Sequence, residues 1–569
     1  MTTETASATT TNGAQAPEMI KGATLLARSL KQQGVDYMFG VVGFPITELA
    51  AYAQREGIKY VGMRNEQAAS YAAQAASYIL GRPQACVVVS GPGVVHGLAG
   101  LANAKSNCWP MILIGGASAV SQNGMGAFQE ENQVEIARPH SKYAHALDRT
   151  DRIPYYVEQA VRTSLYGRPG PAYLDAPDDI LTAEIPIDTI RPANVVPDPP
   201  RPGVPDRDIE AALATLKSAE RPLVIVGKGM AWARAENEVQ ELIERTQLPF
   251  LPTPMGKGVV DDDHPLAVSP ARTLALREAD VVLLLGARLN WILHFGRSPR
   301  WADNVRIIQV DIAAEEIGTN VPAEVALVGD GQAIVAQLNR ALEDEPWQYP
   351  AETTWRTALQ SKVDENVAIS NSLMADESTP LNYYRVLKEV RDTLPEDTII
   401  VSEGANTMDI GRTVLPNKGA RTRLDAGSYG TMGVGLGFAI GAAVARPGTR
   451  IVAVEGDAAF GFSGMEYETM VRHKLPITIV VINNNGIGGG IAELPVDRDP
   501  PPGVYSPDAR YERIADMFGG RGYYVTAPAE LGPALSEANS GDGPAIVHIR
   551  IDPRAGRKPQ QFGWHTPTN

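Results

Sequence analysis

Cysteine is scarce. Among 569 residues only Cys86 and Cys108 occur, each inside an apolar stretch. Two such residues make no disulfide framework and suit a reducing compartment, which is read here as the cytoplasm. Long hydrophobic runs are also missing. The longest uncharged apolar stretches, such as ACVVVSGPGVV from Ala85, break at glycine or proline, well short of the ~18 residues a membrane-spanning helix needs. Basic residues are outnumbered, 51 against 66 acidic ones, giving a formal net charge of -15. That balance excludes binding of a nucleic-acid backbone as the main activity. The first 17 residues, rich in Thr, Ala, Ser and Asn, lack both a basic start and an apolar stretch, so 1–18 is expected to be a disordered tail rather than a signal peptide.

What is present points to several packed α/β layers. Hydrophobic residues make up 44% and charged ones 21%, the balance of a globular chain, and the length corresponds to three or four domains at ~150 residues each. Proline marks the joints. The stretch IPIDTIRPANVVPDPPRPGVP from Ile185 is too proline-rich for a helix or central strand, and DEPWQYPAETT from Asp344 interrupts two helical patterns. Short apolar runs ending in glycine or proline recur between helical stretches. CVVVSGPG, PMILIGG and PAYLDAP lie in the first segment, PLVIVGKGMA, DVVLLLGARL and VRIIQVDI in the second, and TIIVSEGAN, RIVAVEGDAAF and ITIVVINNNG in the third. This is how parallel sheets read. The expected organisation is three consecutive doubly wound α/β domains over 19–190, 207–345 and 381–551. Linkers at 191–206 and 346–380 and a terminal segment 552–569 complete it. Ligands in such sheets sit beyond the carboxyl ends of the strands.

The densest chemistry lies at two such ends. Gly456-Asp457-Ala458 closes one strand and Asn483-Asn484-Asn485-Gly486 another, with Asp457 and Asn484 27 residues apart. A carboxylate and an amide carbonyl at adjacent strand ends supply hard oxygen ligands for Mg²⁺, completed by diphosphate oxygens and water. Small residues at Ala458, Ala459 and Gly486 let backbone N–H groups approach phosphates, and the following helix start adds a favourable dipole. Glu66 precedes a long Ala-rich helical stretch, and the glycine-rich turn GSYGTMGVGLGFAIGAA from Gly427 runs into a helix of small residues.

GD followed by NN, with Glu66 and the Met432 turn in order, resembles the thiamine-diphosphate decarboxylases and carboligases. The stretches SGPGVVHGLAGLANAKSNCWPMILIGG, EGDAAFGFSGMEYET and NNNGIGGG are similar to the branch containing oxalyl-CoA decarboxylase and the 2-hydroxyacyl-CoA lyases, with GPGVVHG and NCWP closest to the lyases. The resemblance implies a homotetramer built from dimers, with thiamine diphosphate between the first domain of one chain and the third of another. Glu66 would hydrogen-bond the aminopyrimidine, Met432 would wedge the cofactor into a V, and the backbone near Gly430 would hold its pyrimidine. Gly43, Ile46, Asn406, Thr407, Gly456 and Ile487 would complete the cofactor contacts, and Asp457, Asn484 and Gly486 would hold the metal. By likeness to oxalyl-CoA decarboxylase the central domain would bind ADP through Gly227, Lys228, Arg288, Asp311, Ile312 and Asp330, joined by Arg168.

The reaction implied is cleavage of a 2-hydroxyacyl-CoA, with 2-hydroxyisobutyryl-CoA the expected substrate, to formyl-CoA and a ketone or aldehyde. It is reversible as a condensation. Phe128, Gln129, Ile46 and His96 are candidates near the reacting carbon; His96 serves either as a proton relay or as a packed loop residue. The loop departs from the decarboxylase pattern NNNGIYRG, having Gly488, Gly489 and Gly490, and Glu493 falls where a decarboxylase tyrosine aligns. A carboxylate there would act as base toward the 2-hydroxyl and repel an oxalyl group. Arg554, Arg557 and Lys558, ahead of Phe562 and Trp564, form an expected lid over the CoA phosphates. Oxalyl-CoA decarboxylase and a catalytically silent nucleotide-binding homologue stay open as alternatives.

Overall fold

The computed structural model describes residues 17–558. Most of the tail 1–18, and Phe562 and Trp564 of the expected lid, lie outside the described residues. Three sheets follow one another along the chain, and every strand pairing within them is parallel. The first has the spatial order Lys59–Gly62, Tyr37–Val41, Ala85–Val88, Met111–Ala117, Pro171–Pro177, Tyr143–Ala146. The second runs Phe250–Pro252, Pro222–Val226, Val281–Leu285, Arg306–Asp311, Ala323–Val328. The third runs Arg423–Asp425, Ile399–Glu403, Ile451–Gly456, Ile477–Asn483, Ala545–Arg550, Arg521–Val525. A short antiparallel ribbon pairs Met19–Lys21 with Glu184–Pro186 and fastens the start of the first domain to its end.

The central strands are mostly apolar because helices cover both faces; all residues of Pro222–Val226, Val281–Leu285 and Ile477–Asn483 are buried. The stretch 187–205 contains no helix longer than one turn and no strand, as its prolines require. The second expected linker is different. Thr354–Met374 forms a helix of 21 residues, with Thr353 as its N-cap accepting from the Arg356 N–H, and Trp355 and Leu359 anchor it on the central domain's core. Prolines bound this segment but do not enter it, so a helix is permitted there.

The first and third domains share one core. Helix Glu66–Leu80 is buried from Ala68 to Ile79, and helix Gly435–Ala445 is buried along its whole length. They pack against each other through small residues. A Cβ on Gly437 would lie 2.7 Å from Ala68 O, and one on Gly441 would overlap the backbone of Ala72. Glycine at these positions lets the helices approach closely. The strand ends carrying the Asp457 set and the helix carrying Glu66 are thereby fixed relative to one another within a chain.

Candidate active site

Strands Ile451–Gly456 and Ile477–Asn483 pair in parallel, so the residues after them emerge side by side. Asp457 opens a helix, Asp457–Ser463, and Asn484 and Gly486 form the loop opposite. The Asn484 side-chain amide lies 2.8 Å from Gly486 O and 3.1 Å from Asp457 Oδ1, donating N–H groups to both and accepting from Tyr383 Oη–H at 3.2 Å. Turned over, it would present its oxygen to the same point. Asp457 Oδ2 is buried and has no hydrogen-bond partner. Burial pushes the Asp457 carboxyl up to about 6, against the N–H groups of Ala458, Gly486 and Asn485 that stabilise its charge. A carboxylate, an amide oxygen and a backbone carbonyl around one point fit a hard divalent cation. No group of three His, Cys, Asp or Glu side chains among the described residues offers a metal site, so any cation here depends on this mixed donor set.

The glycine-rich turn lies beside it. Gly427, Gly430 and Gly433 have φ of 63°, 67° and 88°, a region that only glycine enters without strain. The turn is gripped from below. Glu403 accepts the N–H of Gly433 and, at 2.6 Å, that of Gly435. Glu455 stands opposite Glu403 in the sheet register, fully buried, with neither carboxyl oxygen hydrogen-bonded. Burial first, and the neighbouring Glu403 second, hold Glu455 well above the ordinary carboxylate range. From the first domain, Asn103 Nδ2 donates to Thr431 Oγ1 at 2.8 Å, next to half-buried Met432. Asn406 donates to Gly488 O at 3.1 Å and so ties its helix to the NNNGIGGG loop. Thr407 is buried in that helix, Ala458 and Ala459 are buried in theirs, and Ile487 is 55% exposed.

Glu66 is the first residue of its helix. Asn65 caps that helix, its Oδ1 accepting from the Gln67 and Ala68 N–H groups. The Glu66 carboxylate is mostly shielded, and its Oε2 lies 3.1 Å from Nδ1 of the exposed His96. His96 therefore faces the glutamate rather than packing in the core. Around them, at the carboxyl ends of the first sheet, Ile46 is fully buried against Gly116. A Cβ on Gly43 would lie 2.5 Å from Val89. Phe128 is 67% exposed with its edge toward Phe44, and Gln129, at φ 55°, lies 3.5 Å from Ser90 Oγ. Among the described residues no hydrogen bond joins Glu66 to the Asp457–Asn484 set. Glu493 sits in the irregular stretch after Gly490 and is exposed.

A second concavity opens where the three domains meet. Arg168, Lys228, Arg288, Asp311, Ile312 and Asp330 all line this cleft. Gly227 adjoins it as the N-cap of helix Lys228–Ala233. Lys228 is half-buried, 5.3 Å over the Trp109 ring, donates to Asn107 O, and is pushed by desolvation down to about 8. Arg288 donates to Ser106 O at 2.6 Å and Ser428 Oγ at 3.1 Å. Arg168 pairs with Asp311 and Glu316, and Asp330 caps helix Gly331–Asp344. In the terminal segment, Arg557 pairs with Asp409 and Lys558 donates to Asn366 O and Ser370 Oγ, whereas the Arg554 side chain is 90% exposed. The sequence reading missed Tyr383, Glu403, Glu455, Glu466 and Arg472. No motif spacing marks them, because their partners are distant in the chain.

Comparison with known proteins agrees with this arrangement. Residues 20–136 match the thiamine pyrophosphate enzyme N-terminal TPP binding domain, 209–338 the central domain and 403–549 the C-terminal TPP binding domain. The chain is 49% identical to 2-hydroxyacyl-CoA lyase 1 of Mus musculus over 97% of each chain. It is 44% identical to 2-hydroxyacyl-CoA lyase of Oryza sativa subsp. japonica, over 96% of this chain and 98% of the relative. It is also 41% identical to oxalyl-CoA decarboxylase of Escherichia coli strain K12, over 95% of this chain and 96% of the relative. Three matched domains and near-full-length identity place the chain in the thiamine pyrophosphate enzyme family, in the branch that holds the 2-hydroxyacyl-CoA lyases and oxalyl-CoA decarboxylase.

Proposed function

We propose that the protein is a thiamine-diphosphate-dependent lyase that cleaves the carbon–carbon bond next to the thioester of a 2-hydroxyacyl-CoA. 2-Hydroxyisobutyryl-CoA is the proposed substrate, giving formyl-CoA and acetone, and the reaction also runs as a condensation. The observation that carries the reading is the convergence of Asp457 Oδ1, the Asn484 side-chain amide and Gly486 O beside an unpartnered buried oxygen of Asp457. Mg²⁺ bound there would anchor the cofactor's diphosphate, with the N-terminus of helix Asp457–Ser463 facing the same anion.

When bound, the cofactor supplies a carbon nucleophile and an electron sink. The chain's own residues do the rest. Glu66 would hydrogen-bond the aminopyrimidine, and its shielding would keep an exchanged proton in place. Met432 and the Gly430 backbone would hold the cofactor beside it. His96, 3.1 Å from Glu66, passes protons between the glutamate and solvent, and Phe128 and Gln129 line the approach of the acyl group. Glu493 takes the proton of the 2-hydroxyl. Arg554, Arg557 and Lys558 meet the CoA phosphates, a role that for Arg557 and Lys558 requires exchanging their present partners. Two chains share each cofactor in a dimer of dimers, and ADP occupies the three-domain cleft, where Arg168, Lys228 and Arg288 answer its phosphates. The scarcity of cysteine supports the cytoplasm as the protein's compartment. Among the described residues no helix is long and apolar enough to cross a membrane.

The 41% identity to oxalyl-CoA decarboxylase supports a second reading, in which oxalyl-CoA is decarboxylated. Incubating the protein with thiamine diphosphate and Mg²⁺, offering each CoA ester separately and following products by mass spectrometry distinguishes the two. Formyl-CoA with acetone from 2-hydroxyisobutyryl-CoA alone is expected. Formyl-CoA with carbon dioxide from oxalyl-CoA alone would replace the lyase by the decarboxylase.

A further inference from the structure

The segment that delivers Glu66 is held by the chain's own third domain. The helix opened by Asp457 continues through a turn, Gly464–Glu466, into helix Tyr467–Arg472. From that run Glu466 Oε1 accepts the backbone N–H groups of both Arg64 and Asn65, each at 3.0 Å, while Oε2 accepts from Thr469 Oγ1 at 2.8 Å. Glu466 is 1% exposed. Six residues on, Arg472 Nη2 donates to Gly62 O at 2.5 Å, with its Nε on Glu468 at 2.9 Å. The connection from Gly62 to Asn65 is thus held at its acceptor end by a cation and at its donor end by a carboxylate. The donors around the helix start are divided between two side chains: Arg64 and Asn65 N–H go to Glu466, and Gln67 and Ala68 N–H to Asn65 Oδ1. A buried carboxylate taking two consecutive N–H groups leaves that connection little freedom to rotate.

We propose that Glu466, supported by Arg472, is the positioning residue for Glu66, clamping the Gly62–Asn65 connection so that the glutamate meets the cofactor's aminopyrimidine in one orientation. The proposal rests on the reading of Glu66 given above. It adds a physical link: Glu466 follows Asp457 in the chain, in the turn Gly464–Glu466 that succeeds helix Asp457–Ser463.

Four variants test it: Glu466→Ala, Glu466→Gln, Arg472→Ala and Glu66→Gln. Two measurements besides turnover are made. One is amide hydrogen exchange across residues 59–68 of the cofactor-free chain. The other is the rate at which the thiazolium C2 proton of bound thiamine diphosphate exchanges with D₂O, read by NMR after acid quench. Glu466→Ala is expected to speed amide exchange at Arg64 and Asn65 and to slow C2 exchange on the order of 10- to 100-fold, the cost of a misplaced catalytic group. Glu466→Gln retains an oxygen that accepts both N–H groups, so both rates stay within about twofold of the starting protein. Arg472→Ala removes a half-exposed side chain, leaves the core intact, and moves both rates in the direction of Glu466→Ala by less. It carries the test if Glu466→Ala does not fold. Unchanged C2 exchange in the folded Glu466 or Arg472 variant, with C2 exchange lost in Glu66→Gln, overturns the clamp alone. Unchanged C2 exchange in Glu66→Gln overturns the reading of Glu66 and the clamp together.

Discussion

Asp457 is held in a state that disfavours it. Its carboxyl is buried, raised to about 6 and unpartnered at Oδ2, so the chain without ligand bears a cost that a cation would remove. Asp457→Asn is therefore expected to leave the melting temperature of the cofactor-free chain unchanged or higher, while abolishing the increase that Mg²⁺ and thiamine diphosphate produce together. Paired thermal melts check both halves. A fall in the cofactor-free value would show that the carboxylate stabilises the fold itself. Asp457 and Asn484 stand out in the sequence because a carboxylate and an amide at two strand ends form a local pattern, whereas Glu66, an acid before an alanine-rich helix, stands out only through the family resemblance. Glu466 and Arg472 do not stand out, since Glu466 acts on N–H groups some 400 positions earlier in the chain. Glu403 and Glu455 escaped too. In sequence they are strand residues like any other, and only the register sets them against each other beneath the turn.

Among the elements, the pair of helices Glu66–Leu80 and Gly435–Ala445 carries most weight. Alanine and glycine at the contact bring the backbones close, and the space at Gly441 is already filled by Ala72. Gly441→Ala should destabilise the protein by about 1–3 kcal/mol through overpacking, more than offsetting the helical preference for alanine; urea unfolding of the variant beside its parent measures it. A midpoint that rises would mean the contact yields. The sequence showed both helices by composition, but not that they pack together, because nothing in a small-residue helix names its partner. The strands were easier to find, as runs such as VVLLL and PLVIV are apolar throughout only when covered on both faces. The helix Thr354–Met374 was read as linker because its flanking prolines were given more weight than the proline-free stretch between them.

For the whole molecule, buried acids set the response to pH. Burial raises Asp175 to about 6 against its bonds from Tyr173 and Gln133, and Glu466 to about 7 against Thr469 and the Arg64 and Asn65 N–H groups. A carboxyl whose folded value exceeds its unfolded one binds its proton more tightly when folded. Its contribution is complete below about pH 4 and is lost as pH rises through 6 to 7. The cofactor-free chain should thus unfold at lower urea concentration at pH 8 than at pH 5, by a few kcal/mol in total, and Asp175→Asn with Glu466→Gln should reduce the difference, leaving the share of the raised carboxyls of Glu403, Glu455 and Asp457. A midpoint that climbs from pH 5 to 8 in the parent would mean other groups dominate.

Helix Pro92–Asn107 reaches both concavities. Its second turn sets His96 against Glu66, and its last residues give their carbonyl oxygens to Arg288 and Lys228. It works as a ruler between the two, about 15 Å from His96 to Ser106 at 1.5 Å per residue. One residue inserted between His96 and Asn103 would turn one end by about 100° relative to the other. Either the histidine would leave the glutamate or the carbonyls would leave the cations, so the length of this rod constrains the chain as strictly as any side chain on it.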